Sequence, residues 1–106
     1  MLSFENRLTK SKDFEKVFKE GETFHSDFLV VNVLKEEKGK RFGFIVSKKV
    51  SLKATVRNKI KRRLREQVRL IIPLIQEDLT AIIIAKKEIV GKSSEEIKQE
   101  LKNIFL

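Results

Sequence analysis

The chain has 106 residues and a formal net charge of +9 at pH 7, because 24 Lys and Arg residues outnumber 15 Asp and Glu residues. A hydrophobic content of 41% is enough for one packed core and the length is too short for two ordinary domains, so we expect one domain over residues 1–106. The absence of cysteine excludes disulfides, thiolate metal sites and a cysteine nucleophile, and we expect a cytoplasmic protein. No apolar run approaches the ~20 residues of a membrane span, and the N-terminal residues lack the apolar core of a signal peptide.

The N-terminal part of the chain predicts one helix and two strands. Apolar residues at i, i+3 and i+4 indicate a helix over residues 12–20, with Ser11 as its N-cap. Runs rich in β-branched and aromatic residues predict strands at 28–34 and 41–47. Because only a short polar segment with a glycine, residues 36–40, separates these strands, we expect them to pair as an antiparallel hairpin.

The C-terminal part of the chain predicts two helices and one strand. A helix is predicted from residue 56 to residue 71 or 72, with Thr55 as its N-cap. The near-continuous apolar run at 79–85 predicts a strand that is buried on both faces. Ser93 and Glu96 form a capping-box pattern at the start of a last helix.

The predicted element order is αββαβα. It describes a single α+β domain in which a small, mostly antiparallel sheet is packed with three helices. A further short strand near residues 23–25 has only a weak signal.

The positive charge is concentrated in residues 40–69. This segment holds twelve basic residues and one acid, Glu66, for a net charge of +11, whereas the rest of the chain carries −2. Such a block concentrates positive potential on one surface and attracts a polyanion. The alternative is a solvated helix face that happens to be cationic, although solvated faces usually mix both signs.

The helix over residues 56–72 separates apolar from cationic side chains. One side carries an apolar stripe, and the opposite side carries Asn58, Arg62, Arg65 and Arg69. Neighbouring like charges repel each other along a helix, which indicates a partner that neutralises them. The planar fork of Arg is well suited to phosphate, and Asn58 is either a further polar contact or an ordinary exposed residue.

Four collinear blocks carry a resemblance to a known family. Residues 57–66, Arg-Asn-Lys-Ile-Lys-Arg-Arg-Leu-Arg-Glu, resemble the Arg-Asn-Arg box of the bacterial ribonuclease P protein subunit. Residues 6–21, 43–50 and 81–87 resemble the N-terminal segment, the second signature and the last strand of that family. The blocks span nearly the full length in the family's order, whereas one basic helix alone would be weak support.

The resemblance implies an accessory protein of an endoribonuclease whose RNA subunit, with bound Mg²⁺, removes the 5′ leader of precursor tRNA. It implies ribonuclease P RNA and precursor tRNA as partners, with no protein or membrane partner and no cofactor or metal held by the protein alone. It also implies a left-handed crossover through the basic helix, against the usual right-handed rule. The residues that it places on the catalytic RNA are Arg57, Asn58, Lys59, Lys61, Arg62, Arg65, Lys48 and Lys49.

The resemblance further implies a leader-binding cleft between the first helix and the sheet, at Phe14, Phe18 and Asn32. Asn32 stands where an aromatic residue often lines that cleft, and Lys59 replaces the last Arg of the box, which keeps the charge but loses bidentate geometry. At helical spacing, Phe14 and Phe18 are also ordinary core residues.

The residues do not support catalysis by the protein itself. His25 is the only histidine, so a two-histidine nuclease mechanism is excluded within one chain. Glu66 is more simply an ion-pair partner within its helix. The main alternative is another small RNA-binding protein, such as a ribosomal protein. A helix-turn-helix protein would need a second helix where strands are predicted.

Overall fold

The structure is a computed structural model that describes residues 2–36 and 38–106. Short 3₁₀ turns lie at Phe4–Asn6, Ile72–Leu74 and Lys87–Ile89. The helices and strands of the described residues are α1 (Ser11–Glu20), β1 (Glu22–His25), β2 (Leu29–Lys35), β3 (Lys40–Ile45), α2 (Ala54–Ile71), β4 (Leu79–Ala85) and α3 (Ser94–Phe105). Apart from the added strand β1, the order is the predicted αββαβα, and the weak strand signal at 23–25 is confirmed.

The sheet is mixed, with the strand order β1-β2-β4-β3. β4 is antiparallel to β2 and parallel to β3, and β1 pairs antiparallel to β2. Six of the seven β4 residues are buried, which confirms the prediction that this strand is covered on both faces. A strand that is apolar on both faces is most stable in the interior of a sheet, where neighbours satisfy its backbone on both sides.

The predicted hairpin is wrong. β2 and β3 do not pair, because β4 lies between them and bonds to both. β4 is the most apolar of the three strands, and more apolar surface is buried when it takes the central place between β2 and β3. Glu37, in the predicted turn, lies outside the described residues, whereas Gly39 adopts the positive φ of 92° that a turn glycine tolerates.

α2 connects the parallel strands β3 and β4, which is the strand–helix–strand arrangement that the resemblance implies. The left-handed sense of this crossover stays a prediction. Side chains alternate across each strand, so Ala81 and Ile83 of β4 face a core shared with α2 and α3. Ile82, between them, faces the smaller cluster under α1. The sheet is therefore covered by two helices on one face and by one on the other.

Two of the three predicted N-caps are wrong. Ser11 is the first helical residue of α1 rather than its cap, and α2 starts at Ala54, ahead of Thr55. Among the described residues, no side chain caps the N-terminus of either helix by a hydrogen bond. The predicted cap of α3 is confirmed, since Ser93 Oγ accepts a 3.1 Å hydrogen bond from the Glu96 amide. Among the described residues, no helix is long and apolar enough to cross a membrane.

Candidate functional site

α2 is oriented by its apolar stripe. Ile60, Leu64 and Val68 are buried in the main core, and half-buried Val56 packs against it at the start of the helix. Since these residues recur every four positions, the remaining face of the helix points away from the sheet. Asn58, Lys59, Arg62, Arg65 and Arg69 are all exposed.

Three arginines of α2 are held by contacts within the protein. Arg69 donates to Glu66 at 2.5 Å, and this hydrogen bond and charge lower the pKa of the Glu66 carboxyl. Arg57 Nη1 donates to the Ser51 carbonyl at 2.9 Å, and Arg63 Nη1 donates to the Lys92 carbonyl at 3.2 Å. Arg57, predicted by resemblance to face RNA, therefore also supports the loop between β3 and α2.

The other cations near α2 have no partner in the part of the chain that the structure describes. We define the α2 polar face as Asn58, Lys59, Lys61, Arg62 and Arg65. No side-chain hydrogen bond or ion pair joins any member of this face to another described residue. Lys48 and Lys49, exposed in the turn after β3, are likewise without such a contact. Their positive charge is available to an external anion.

An open cleft of about 820 Å³ separates the α2 polar face from the N-terminal segment. Its apolar lining comes from Leu2, Leu8, Phe14 and Phe44, with Gly43 between them. Its polar lining comes from Arg7, Thr9, Asn58, Lys61, Arg62, Arg65 and Glu66. We call this space the N-terminal cleft. The α2 wall is thus polar and mostly cationic, and the facing side combines the apolar side chains with Arg7 and Thr9.

Phe14 belongs to both a core cluster and the N-terminal cleft. It is half-buried and packs on the cluster of Leu8, Val17 and Ile82 under α1. A Cβ atom at Gly43 would lie 2.6 Å from Cζ of the Phe14 ring, closer than real contacts allow. The absence of a side chain at Gly43 therefore lets the ring lie directly on β3, at the edge of the cleft.

Phe18 and Asn32, the other two residues predicted for a leader-binding cleft, do not line the N-terminal cleft. Phe18 is 48% exposed on α1. Asn32 is buried, and its Oδ1 accepts a 2.6 Å hydrogen bond from Thr23 Oγ1 of the neighbouring strand. Asn32 lies on the α1 side of the sheet, because residues two apart in a strand share a face and Leu34 of the same strand packs under α1. The three residues share one side of the sheet but not one pocket.

The N-terminal segment was not identified as a cleft wall by residue patterns alone. Arg7 forms an isolated parallel bridge with Phe42, and the Leu8 amide donates to the Phe42 carbonyl at 2.9 Å. Asn6 Nδ2 further donates to the Lys40 carbonyl at 2.6 Å. These contacts place residues 6–8 along the free edge of β3. The collinear family block at residues 6–21 was the available signal.

The described residues contain no group of three or more His, Cys, Asp and Glu side chains that could hold a metal ion. The carboxylates near α2 are instead committed to cations, as with Glu66 and Arg69. The cations and apolar side chains that line this surface can contact anions and apolar or aromatic groups.

Comparisons with known proteins agree with this arrangement. The family model described as Ribonuclease P matches residues 2–106. The ribonuclease P protein component of Symbiobacterium thermophilum is 35% identical over 101 residues, covering 93% of this chain and 87% of the relative. That of Picosynechococcus sp. is 34% identical over 106 residues, covering 99% and 91%.

Solved structures give the same result. The ribonuclease P protein of Thermotoga maritima superposes with a TM-score of 0.84 at 30% identity, covering 93% of this chain and 94% of that one. The Staphylococcus aureus protein gives 0.82 at 28% identity, with 93% and 91% covered. The predicted family is confirmed over nearly the whole length: the chain belongs to the ribonuclease P protein component family.

Proposed function

We propose that this chain is the protein subunit of ribonuclease P. In this proposal it binds the catalytic RNA through the α2 polar face and assists binding of the 5′ leader of precursor tRNA. The result is endonucleolytic removal of the leader. Family membership makes the chain part of an endoribonuclease that acts in tRNA processing with an RNA partner. The RNA-binding and leader-binding surfaces, and the assignment of catalysis to the RNA subunit, are the parts that we propose.

The observation that carries the proposal is that the α2 polar face has no ion pair or side-chain hydrogen bond with another described residue. Lys40 is paired with Asp78 at 3.0 Å and Arg41 with Asp13 at 3.1 Å, so cations at the start of the basic segment are already compensated. Those of the α2 polar face, together with Lys48 and Lys49, have no such contact to described residues. A surface of this kind gains most from releasing the counterions of an RNA backbone.

We place the leader on the α1 side of the sheet. Phe18 is exposed there and Phe14 is half-buried, so both rings have accessible area on which an unpaired base could stack. Asn32 would contribute an amide hydrogen bond in place of an aromatic contact. Its Oδ1 already accepts from Thr23, which leaves its amide nitrogen as the group for an acceptor on a base or sugar.

We assign the hydrolysis to the RNA subunit, which supplies bound Mg²⁺ for the phosphodiester chemistry. The protein's own residues bind and position RNA in this account, and no side chain takes or gives a proton in the reaction. The assignment to the RNA is supported by the side chains present, since the described residues bring no cluster of carboxylates or histidines together. We place the holoenzyme in the cytoplasm.

A reconstitution tests the proposal. The purified protein is combined with a bacterial ribonuclease P RNA and labelled precursor tRNA at low Mg²⁺ concentration. We expect protein-dependent release of the 5′ leader. The variant Arg62→Ala/Arg65→Ala should require more protein for the same rate, because two phosphate contacts are lost.

The matched control is Lys98→Ala/Lys102→Ala, which removes two positive charges from α3, outside the α2 polar face. Its protein requirement should equal that of the wild type. Leader release that is independent of protein at every concentration would refute the function. An equal loss in both double variants would instead refute the assignment of the RNA surface to α2.

A further inference from the structure

The first helix, α1, is attached to the sheet by few buried side chains. Of its ten residues, Val17 alone is buried, and Phe14 is half-buried against Gly43. The position of a short helix depends mostly on its packing and its contacts to other elements, so each remaining contact of α1 carries weight. That position bears on function, because α1 carries Phe14 and Phe18, the two rings that we place beside the leader.

One of these contacts joins Arg41 of β3 to the first turn of α1. Arg41 Nη1 donates a hydrogen bond to Asp13 Oδ2 at 3.1 Å. Arg41 and Gly43 lie two residues apart in β3 and therefore share a face of the sheet, where Gly43 receives the Phe14 ring. Since Asp13 and Phe14 are consecutive in α1, the ion pair and the ring contact fix the same turn of the helix.

The guanidinium of Arg41 is itself held by two other parts of the sheet. Its Nη2 lies 3.6 Å from Glu36 Oε1, just after β2, and donates to Thr80 Oγ1 of β4 at 3.4 Å. Thr80 is fully buried, and its hydroxyl donates to the same Glu36 oxygen at 2.9 Å. A planar guanidinium can serve several acceptors at once in a fixed geometry. Arg41 therefore connects α1 to the strands through one rigid group.

We propose that Arg41 is a positioning residue for the 5′ leader. It holds α1 so that Phe14 and Phe18 stand where unpaired leader bases can stack on them, and it contacts no RNA itself. This inference rests on the proposed function and adds to it a residue that acts on the leader through α1. It also separates Arg41 from the α2 polar face, because the charge of Arg41 is compensated by Asp13 and Glu36.

The dependence of binding on the leader tests this role. The holoenzyme is reconstituted with a bacterial ribonuclease P RNA, and its affinity is measured for two precursor tRNAs, one with a long unpaired leader and one with a single-nucleotide leader. The ratio of the two affinities isolates the leader contacts, and a partial loss of folded protein cancels in it. Arg41→Met should lower this ratio roughly fivefold, the lower end of what one stacked base contributes. Its affinity for the short-leader substrate should equal that of the wild type.

Asp13→Asn distinguishes positioning from a direct contact between Arg41 and the leader. The variant removes the carboxylate that links Arg41 to α1 and leaves the positive charge in place. A positioning role predicts that the affinity ratio falls, as in Arg41→Met. A direct contact with a leader phosphate predicts that the ratio rises, because the cation loses a competing acid. The matched control is Lys40→Met, which removes a neighbouring cation that pairs with Asp78 rather than with α1 and should leave the ratio unchanged.

A double-mutant cycle identifies the route of the effect. In the background Phe14→Leu/Phe18→Leu, where the leader contacts are already weakened, Arg41→Met should lower the ratio little further. Purely additive losses, an unchanged ratio in Arg41→Met, a raised ratio in Asp13→Asn or an equal loss in Lys40→Met would overturn the inference. A wild-type holoenzyme that binds both substrates equally would instead refute the leader-binding part of the proposed function.

Discussion

Gly43 and Phe14 meet where β3, α1 and the N-terminal cleft come together. A Cβ atom at position 43 would lie 2.6 Å and 2.8 Å from two atoms of the Phe14 ring, so one of the two residues must move if a methyl group is added. Overpacking of this kind typically costs about 1–3 kcal/mol. A small residue at 43 is therefore required by the ring rather than by the backbone conformation.

We expect Gly43→Ala to lower the free energy of unfolding by about 1–3 kcal/mol, as measured by urea denaturation. Gly43→Ala/Phe14→Leu should recover part of this loss, because the smaller side chain makes room for the methyl group. A single variant as stable as the wild type, or a double variant with purely additive losses, would contradict the contact.

Arg57 has a structural contact in addition to its predicted role at the RNA surface. The resemblance places it on RNA, and its guanidinium also donates to the Ser51 carbonyl and holds the loop that carries Lys48 and Lys49. We expect Arg57→Ala to accelerate amide hydrogen exchange in residues 48–53, since that loop loses a fixed point. Arg62→Ala, which removes a charge without such a contact, should leave exchange in that loop unchanged. Equal exchange in both variants would contradict the supporting role.

Between elements, the start of β3 is linked to the segment before β4 by an ion pair. Lys40 Nζ lies 3.0 Å from Asp78 Oδ1, and this hydrogen bond, together with the Gly39 amide, lowers the pKa of the Asp78 carboxyl below its ordinary 3.8. A carboxyl whose pKa is lower in the folded state stabilises the fold above its unfolded pKa. That contribution is lost as the pH falls through the folded value.

At neutral pH the wild type should therefore have a larger free energy of unfolding than Asp78→Asn. This advantage should shrink as the pH falls below about 4. Urea denaturation across this pH range measures it. Glu77→Gln is the control, because the Lys35–Glu77 pair is long, at 3.7 Å, and exposed. A difference that grows on acidification would show that the pair does not act as described.

The elements themselves were largely predictable, and their pairing was not. The strand at 79–85 was placed with correct bounds because its apolar run is continuous. The false hairpin arose because a short loop between β2 and β3 is compatible both with direct pairing and with a central strand between them. That choice depends on β4, which follows more than thirty residues after β3 ends. The sequence around β2 and β3 does not indicate that a distant strand will pair between them.

The candidate site was likewise predictable only in part. The α2 polar face follows from helical periodicity in one continuous segment, so it could be predicted from the sequence. The N-terminal cleft could not, because its walls come from residues 2–9, Phe14, β3 and α2, which only the tertiary fold brings together. Phe14, which lines this cleft, was predicted as a leader-binding residue, and that role stays a prediction.

At the scale of the whole molecule, the net charge of +9 is unevenly distributed over the surface. The basic residues at the ends of the segment, Lys40, Arg41 and Arg69, pair with acids, while the α2 polar face has no such partner among described residues. The central claim is that this face binds ribonuclease P RNA through its phosphates.

The salt dependence of that binding is the most direct test. Affinity for ribonuclease P RNA is measured against monovalent salt for the wild type, Arg62→Ala/Arg65→Ala and Lys98→Ala/Lys102→Ala. Each lost phosphate contact reduces the log–log slope by a little less than one, so the arginine variant should have a slope smaller by roughly 1.5, and the lysine variant an unchanged slope. Identical slopes for the wild type and the arginine variant would contradict the claim.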